Sequence, residues 1–322
     1  MNCFLYQLRF NTPVHFGSPD SALSLYASED HFRADTLFSA LCHTALQLYG
    51  DDGLSKLLDM AKTGKLLLSD SMPWAGGEYY LPKPCYSTQT ERELPADKRK
   101  VMKKLAWIPI DRMDEYCDAM KTGVLFACEE VSFGQSSEST KAMVPEQGDA
   151  RPYPVGLFHF RENCGLYFLA VLEDPRDRTW LTGLLEALGV SGIGGKVTAG
   201  YGKFSIVDDL DLSKSEQPQW KRLSALSYCQ SPSDSMLLTT SLPRSEELES
   251  ALDGASFQLV RRSGFVASDC HIQTPCKKQT QYYLSAGSVV KNCFSGDLYE
   301  IGDSAVHPVY RYSKPLFLGV QL

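Results

Sequence analysis

The sequence predicts an α+β protein of two ferredoxin-like (RRM-like) domains, interrupted by an insertion and carrying a glycine-rich loop. Three observations predict it. The chain has 322 residues, and at about 150 residues per domain that length suggests two domains. Its first two hundred or so residues run strand, helix, strands, insertion, strand, helix, strand. Without the insertion this is the β-α-β-β-α-β order of a split βαβ unit. The third observation is a stretch of closely spaced glycines between the second helix and the last strand of that unit. Hydrophobic residues make up 43% and charged residues 22%, a globular composition that excludes a disordered or collagen-like chain.

Taken in order, CFLYQLRF (Cys3 to Phe10) is apolar and aromatic and reads as a strand. A loop with Pro13, Gly17 and Pro19 follows. Asp35 is expected to cap a helix in which Leu37, Phe38, Leu41, Ala45 and Leu48 recur at three- and four-residue spacing and which Gly50 ends. The short helix LSKLLDMAKTG leads to the strands KLLLSD and EYYLPKP. Residues 82 to about 155 hold several prolines, a basic run and the Ser-rich FGQSSESTKAM, and read as an insertion with small strands such as GVLFACEEVSF. The strands GLFHFR and GLYFLAVL, joined by Glu162 to Cys164, resume the pattern. The helix TWLTGLLEAL, the glycine loop over 191–203 and the strand GKFSIVD complete a first domain over 1–210. SEQPQW reads as a linker. Strand MLLTTSLP, helix SEELESAL and strand ASFQLVRR then repeat the order, and HPVYRYSKPLFLGV supplies one or two closing strands. Residues 211–322 are therefore expected to form a second, degenerate ferredoxin-like domain.

The net charge is −7 and the pI about 5.5. This excludes a non-specific nucleic-acid binder, which carries a strongly basic face. The charge is uneven, however. Arg92 to Lys104 holds six basic residues against Glu93 and Asp97, and Gly192 to Val207 holds Lys196, Lys203 and no acid. Arg261 to Lys291 holds five basic residues against Asp269 alone. Local basic strips on an acidic protein suit one polyanion in one groove, or are solvated faces. The ten cysteines form no CxxC pair and suit reduced thiols in a cytoplasmic protein. Cys270, His271, Cys276 and Cys293 lack the tight paired spacing of zinc sites, so no metal and no cofactor is expected. The longest apolar stretch, Gly165 to Leu172, is far short of the roughly 20 residues of a membrane span. The N-terminus lacks the pattern of a signal peptide.

The glycine loop is the most specific feature. SGIGGKVTAGYGKF holds Gly192, Gly194, Gly195, Gly200 and Gly202, with Lys196, Lys203 and Tyr201 among them. Backbone without Cβ atoms can turn N–H groups toward a phosphate, the lysines add charge, and Tyr201 offers a stacking face. The P-loop and dinucleotide fingerprints both fail, because the required positions fall on Val190 and Val197 and because those loops run from strand to helix. A flexible surface loop is the alternative.

Other candidate chemistry is thinner. His15 in VHFG suits a general base, with Tyr26, His31 or Lys83 as partner. The order Asp30–His31 is reversed from that of metal phosphohydrolases. His43 lies within a helix, and His159 alternates with Phe158 and Phe160 and faces away from them. GVSGI at Gly189 to Ile193 is not a nucleophile elbow. In Tyr79–Tyr80 and Tyr282–Tyr283 one ring of each pair is expected in the core and the other exposed or stacked on a partner. Arg261–Arg262 and Lys277–Lys278, with Lys291, either track phosphates or block unwanted strand pairing at an edge.

At the glycine loop the sequence resembles the RAMP superfamily of CRISPR-associated proteins, in which such a loop follows the last helix of a ferredoxin-like domain. LRFNTPVHFG, ADTLFSAL, LPKP, KKLAWIP, GSVV and HPVYRYSKPLFLGV are similar to the subunit-four family of type III-A (Csm) effector complexes, over residues 1–322. The resemblance implies two ferredoxin-like domains with a finger-like insertion and a non-catalytic role in antiviral defence. Such a subunit holds the 5′ repeat-derived tag of the crRNA, docks on the large signalling subunit and touches the adjacent backbone RAMP subunit. Carried onto this chain, the RNA-binding residues are Gly192, Gly194, Gly195, Lys196, Thr198, Ala199, Gly200, Tyr201, Gly202 and Lys203, with His15 on the same face. Lys83 is carried over as RNA-binding too, and it and the region around Ser132 to Ala142 would sit in or beside the insertion. The alternative is a metal-independent crRNA-processing endoribonuclease of the same superfamily. In those enzymes the glycine loop lies near the C-terminus, whereas about 120 residues follow it here.

Overall fold

A computed structural model describes residues 2–18, 24–85, 100, 102–129, 131–143, 149–226, 234–266, 277–302 and 307–320. The chain opens with strands β1 (Asn2–Phe10), β2 (Phe16–Gly17) and β3 (Ser28–Glu29), then helix α1 (Ala34–Lys62). Strands β4 (Leu66–Leu68), β5 (Met72–Ala75), β6 (Glu78–Pro82) and β7 (Trp107–Pro109) precede helix α2 (Met113–Thr122). Strands β8 (Gly134–Met143), β9 (Arg151–Phe160) and β10 (Cys164–Leu172) lead to helix α3 (Asp177–Ser191) and strand β11 (Phe204–Asp211). Helix α4 (Pro218–Leu226), strand β12 (Ser235–Leu237) and helix α5 (Leu248–Leu252) follow. The last strands are β13 (Leu259–Arg262), β14 (Gln281–Leu284), β15 (Val289–Val290), β16 (Leu298–Glu300), β17 (Tyr310–Tyr312) and β18 (Phe317–Gly319).

One antiparallel sheet organises the first part, in the order β11-β1-β10-β5-β6-β7, with β4 also on β10. All nine residues of β10 are buried, which is why its sequence is nearly all apolar rather than alternating. Strand periodicity sends alternate residues to two layers. Phe4, Tyr6, Leu8, Leu166, Phe168 and Ala170 pack with Leu37, Phe38 and Leu41 of α1 and Leu181, Leu184 and Leu188 of α3. Cys3, Leu5, Tyr167, Leu169 and Val171 belong to a second cluster with Met113, Tyr116, Trp220, Met236, Leu238 and Leu318. That second cluster draws on both halves of the chain, so the C-terminal part is built against the back of the sheet.

The segments read as helix and strand are largely found, with five corrections. Gly50, at φ +63°, breaks the helical path where the sequence ends its first helix, although the helix resumes at once as far as Lys62. Asp35 does not cap α1. Arg33 stands at the N-cap without a side-chain cap bond, and the Ala34 amide donates instead to Asp70 Oδ1 at 2.8 Å. A carboxylate distant in sequence has taken the capping role, which frees Asp35 for another partner. GVLFACEEVSF forms no strand among its described residues; the extended segment is the Ser-rich stretch, paired over its full length with β9. Its exposed, polar composition hid it from a reading based on apolar runs. Cys164 is the first residue of β10 and not part of its preceding connection.

The fifth correction is the expected linker. Pro218–Leu226 is helical, and Trp220 is only 2% exposed. Its ring meets Tyr79 edge-on at 4.7 Å between centroids. The polar residues around it gave the linker reading; one buried indole outweighs them. In the C-terminal part the described strands form small sheets, β15-β12-β18, β13-β14 and β16-β17, rather than a single one. Trp220→Ala is expected to destabilise the protein by about 3–5 kcal/mol, read as a lowered urea midpoint. An unchanged midpoint would show that α4 stands apart from the core.

Candidate nucleic-acid interface

The glycine loop packs against the segment after β1. The φ angles of Gly192, Gly194, Gly200 and Gly202 are all positive, and Lys196 is left-handed at φ +61°. A Cβ on Gly202 would sit 2.0 Å from the Ile193 carbonyl oxygen. One on Gly195 would sit 2.6 Å from Cδ2 of His15. Glycine is required here for backbone-to-backbone approach. The amides of Ile193, Gly195 and Gly202 donate to the carbonyls of Gly202, His15 and Pro13, and the Lys203 amide donates to Thr12 Oγ1. Those of Gly192, Ala199 and Gly200 are also bonded within the loop and its helix. The expectation that glycines free many N–H groups for a phosphate is therefore narrowed. The glycines mainly serve close packing, and Thr198 and Ala199 lie exposed in the single helical turn Val197–Ala199.

His15 is 6% exposed, and its Nδ1 lies 2.7 Å from the Gly156 carbonyl. A carbonyl only accepts, so Nδ1 carries the proton and Nε2 is the acceptor of the neutral ring. The β8–β9 hairpin leans on the loop from the other side. Lys196 Nζ donates to the Tyr153 hydroxyl at 3.2 Å and lies 4.8 Å from that ring centroid. Lys141 Nζ lies 4.9 Å from the Tyr201 ring centroid. A hydrogen bond from Lys141, helped by Ser139, lowers the Tyr201 pKa below its ordinary value. From sequence, Lys141 is covered only within the region Ser132 to Ala142, and Tyr153 is not singled out. A tyrosine bracketed by Pro152 and Pro154 was the available signal.

In front of the loop lies a cleft of about 880 Å³. His15, Gly194, Gly195 and Lys196 line one side, and Arg261, Arg262, Phe265, Lys277 and Lys278 line it from the C-terminal half. Glu29, His31 and Arg33 complete its floor. The structure thus joins two basic strips that lie far apart in sequence. Gly192, the loop residues from Thr198 to Lys203, Lys83 and Lys291 are not among the lining residues. The Lys83 ammonium donates to the Met102 carbonyl at 3.0 Å, and burial lowers its pKa. The Lys291 stem runs beside Gly254. Tyr26 is 51% exposed and also lies outside the lining, whereas His31 is inside it, bonded to Asp30 at 2.9 Å. His43 is half-buried in α1. His159 meets Ser137 at 2.7 Å, on the side away from Phe158 and Phe160 as expected. Cys270, His271, Cys276 and most of the run Arg92 to Lys104 lie outside the described residues.

Part-buried ion pairs hold the cleft walls together. Arg262 donates twice to Asp35, at 2.9 and 2.7 Å, and Arg311 Nε lies 3.7 Å from the same carboxylate. Burial pushes the Asp35 pKa up, but the two guanidinium groups outweigh it and hold the pKa below its ordinary value. Arg33 makes a bidentate pair with Glu29. Lys278 has its pKa lowered, by burial first and by Arg311 and Arg262 as well, against the pull of Asp35. The cationic wall is therefore anchored, not merely concentrated.

Residues 230–320 match the family described as the CRISPR Csm4 C-terminal domain. A Mycobacterium tuberculosis protein named CRISPR system Cms protein Csm4 is 35% identical over 321 residues, covering 99% of this chain and 98% of that protein. A Streptococcus thermophilus protein of the same name is 29% identical over 328 residues, covering 99% of each. Among solved structures, the Csm3–Csm4 subcomplex of the type III-A CRISPR-Cas interference complex contains a chain that matches over 100% of both chains, at a TM-score of 0.65 and 19% identity. A chain of the Csm1–Csm4 cassette in complex with pppApA matches at a TM-score of 0.62 and 19% identity, covering 100% of this chain and 99% of that one.

Asp35 is expected to stabilise the seam in a pH-dependent way. Its pKa is depressed on folding, so its contribution is complete above its ordinary value of 3.8 and is lost as pH falls through the folded value. Asp35→Asn breaks a buried ion pair and is expected to lower stability by about 3–5 kcal/mol near neutral pH. The gap between wild type and variant in urea midpoint then narrows as the pH is taken from about 5 downward. A gap constant with pH would show that the carboxylate charge is not what holds the seam.

Proposed function

The chain belongs to the Csm4 family of CRISPR systems, and from that premise we propose that it is a non-catalytic RNA-binding subunit that holds the 5′ tag of the crRNA. The observation that carries this reading is the cleft. On a chain with net charge −7 it gathers Lys196, Arg261, Arg262, Lys277 and Lys278 around the glycine loop. Single-stranded RNA is held by phosphate contacts, stacking and a few base-edge hydrogen bonds, and such a groove offers all three. Gly192, Gly194, Gly195, Gly200 and Gly202 shape the loop. Lys196 and Lys203 meet phosphates, Tyr201 presents a ring, and Thr198 and Ala199 border the path. The acceptor Nε2 of His15 suits a 2′-hydroxyl or a base N–H.

The antiparallel order β11-β1-β10-β4, with α1 and α3 on one face, supports a ferredoxin-like unit over 1–210, to which β8–β9 is the inserted finger. The family match over residues 230–320 supports a second unit within 211–322. The similar chains come from assemblies named for Csm3 and Csm1. We take the corresponding backbone and large subunits as partners of this chain, in the cytoplasm. No helix among the described residues is long and apolar enough to cross a membrane.

Two tests address this reading. In EDTA, the assembled complex with a labelled tag-bearing RNA should give a shifted band on a native gel and intact RNA on a denaturing gel from the same tubes. A discrete cut abolished by His15→Ala would replace the scaffold with the endoribonuclease. Lys196→Ala with Lys203→Ala should weaken binding and flatten its salt dependence by about 1.4 in log–log slope, about 0.7 for each phosphate no longer neutralised. An unchanged slope would remove both lysines from the RNA path.

A further inference from the structure

The β13–β14 hairpin presents two different faces. Inward, Arg262 reaches Asp35, while Tyr283 is 1% exposed and donates its hydroxyl to Gln281 at 2.7 Å. Outward, Arg261 stands opposite Tyr282, whose ring is 57% exposed. Beyond the ladder, Phe265 stands opposite Lys277, with the ammonium 5.9 Å from its ring centroid. Phe265 is 58% exposed. A single exposed aromatic needs no explanation. Here Phe265 and Tyr282 are each paired across the strands with a cation, and Phe257 is exposed on the same segment. Arg261, Phe265 and Lys277 also line the cleft. No carboxylate occurs in the described hairpin residues 257–266 and 277–284.

We propose that this outward face is a stacking platform for unpaired bases of the same RNA where it leaves the cleft. Phe265 and Tyr282 receive bases, and Arg261 and Lys277 meet the phosphates beside them. The proposal rests on the RNA reading of the cleft and extends it onto the C-terminal half. Charge decides between RNA and a protein occupant. The core of a protein interface is depleted in charge, whereas this face, beside the exposed Leu259, sets Arg261 against Tyr282 and Lys277 against Phe265, a pairing of rings with cations found on single-strand binding surfaces. The hairpin's position also follows from the ion pairs. Arg262 pinned to Asp35 fixes the inward face and so directs its neighbour Arg261 outward, across from Tyr282.

The test uses the assembled complex, tag-bearing RNA, and four proteins: wild type, Phe265→Leu with Tyr282→Leu, Tyr282→Phe, and Lys196→Ala with Lys203→Ala. Both aromatic positions are exposed, so the leucine variant retains the fold. It should bind about thirtyfold or more weakly, because each of the two missing base–aromatic stacks contributes about fivefold or more. Its salt slope should stay unchanged, and its nuclease footprint should shorten at one end only. Tyr282→Phe should bind as wild type does, because stacking needs the ring and not the hydroxyl. If the leucine variant binds as wild type while the lysine variant is weakened, the platform is refuted and the cleft reading stands. If neither variant is weakened, both fall. Loss of the large subunit from the leucine variant with RNA affinity unchanged would identify a protein interface and overturn the proposal.

Discussion

The carboxylate of Asp35 lies where helix α1, hairpin β13–β14 and strand β17 meet, and it receives Arg262 and Arg311 together. One residue before it, the α1 amide of Ala34 is capped by Asp70, which also accepts from the Thr240 amide at 3.0 Å and the Thr240 hydroxyl at 2.5 Å. Two acids therefore bind the first turn of α1 to the C-terminal half. Both are removed from water, and such burial is tolerable only with partners of this quality. They differ in sign of response. Burial, the largest influence on Asp70, raises its pKa despite the bonds from Thr240, whereas the arginines depress that of Asp35. The cleft exists because this seam fixes how its two walls face each other.

The glycine loop contributes shape before it contributes charge. Most of its amides are bound within the protein, and its glycines let Ile193 meet Gly202 and the loop backbone meet His15. What remains to contact a ligand is chiefly a rim of side chains, partly organised by the inserted hairpin through Tyr153 and Lys141. The insertion is thus coupled to the loop by contact. A change in the hairpin would alter the electrostatics of Lys196 and Tyr201 without touching the loop itself.

Most of the first half was legible because its signals are local. Apolar periodicity marks α1, and the continuous apolar run of β10 marks a central strand. Gly50 does break the helical path. The misreadings came where a distant partner decides. Asp35 has the chemistry of a cap, but Asp70 reached the helix end first. SEQPQW has a linker's composition, but the sheet offered Trp220 a pocket beside Tyr79. Strand β8 is polar and exposed, so only its pairing with β9 makes it a strand. At the site, the loop, His15 and the second basic strip were visible separately. Their convergence was not, because it depends on ion pairs between residues more than two hundred positions apart. Of the tyrosine pair near the C-terminus, the sequence indicated that one ring would be buried; the register identifies Tyr283 as that ring and Tyr282 as the exposed one.

On the proposed reading, one strand of RNA lies in the cleft between the glycine loop and the C-terminal hairpin. The most direct measurement is photocrosslinking of the assembled complex with 4-thiouridine placed singly along the tag, followed by mass spectrometry of the crosslinked peptides. Crosslinks are expected to peptides containing His15, Tyr201 and Phe265 or Tyr282, in an order that follows the RNA from one wall to the other. Crosslinks confined to other surfaces, such as the peptide around Lys83, would contradict it.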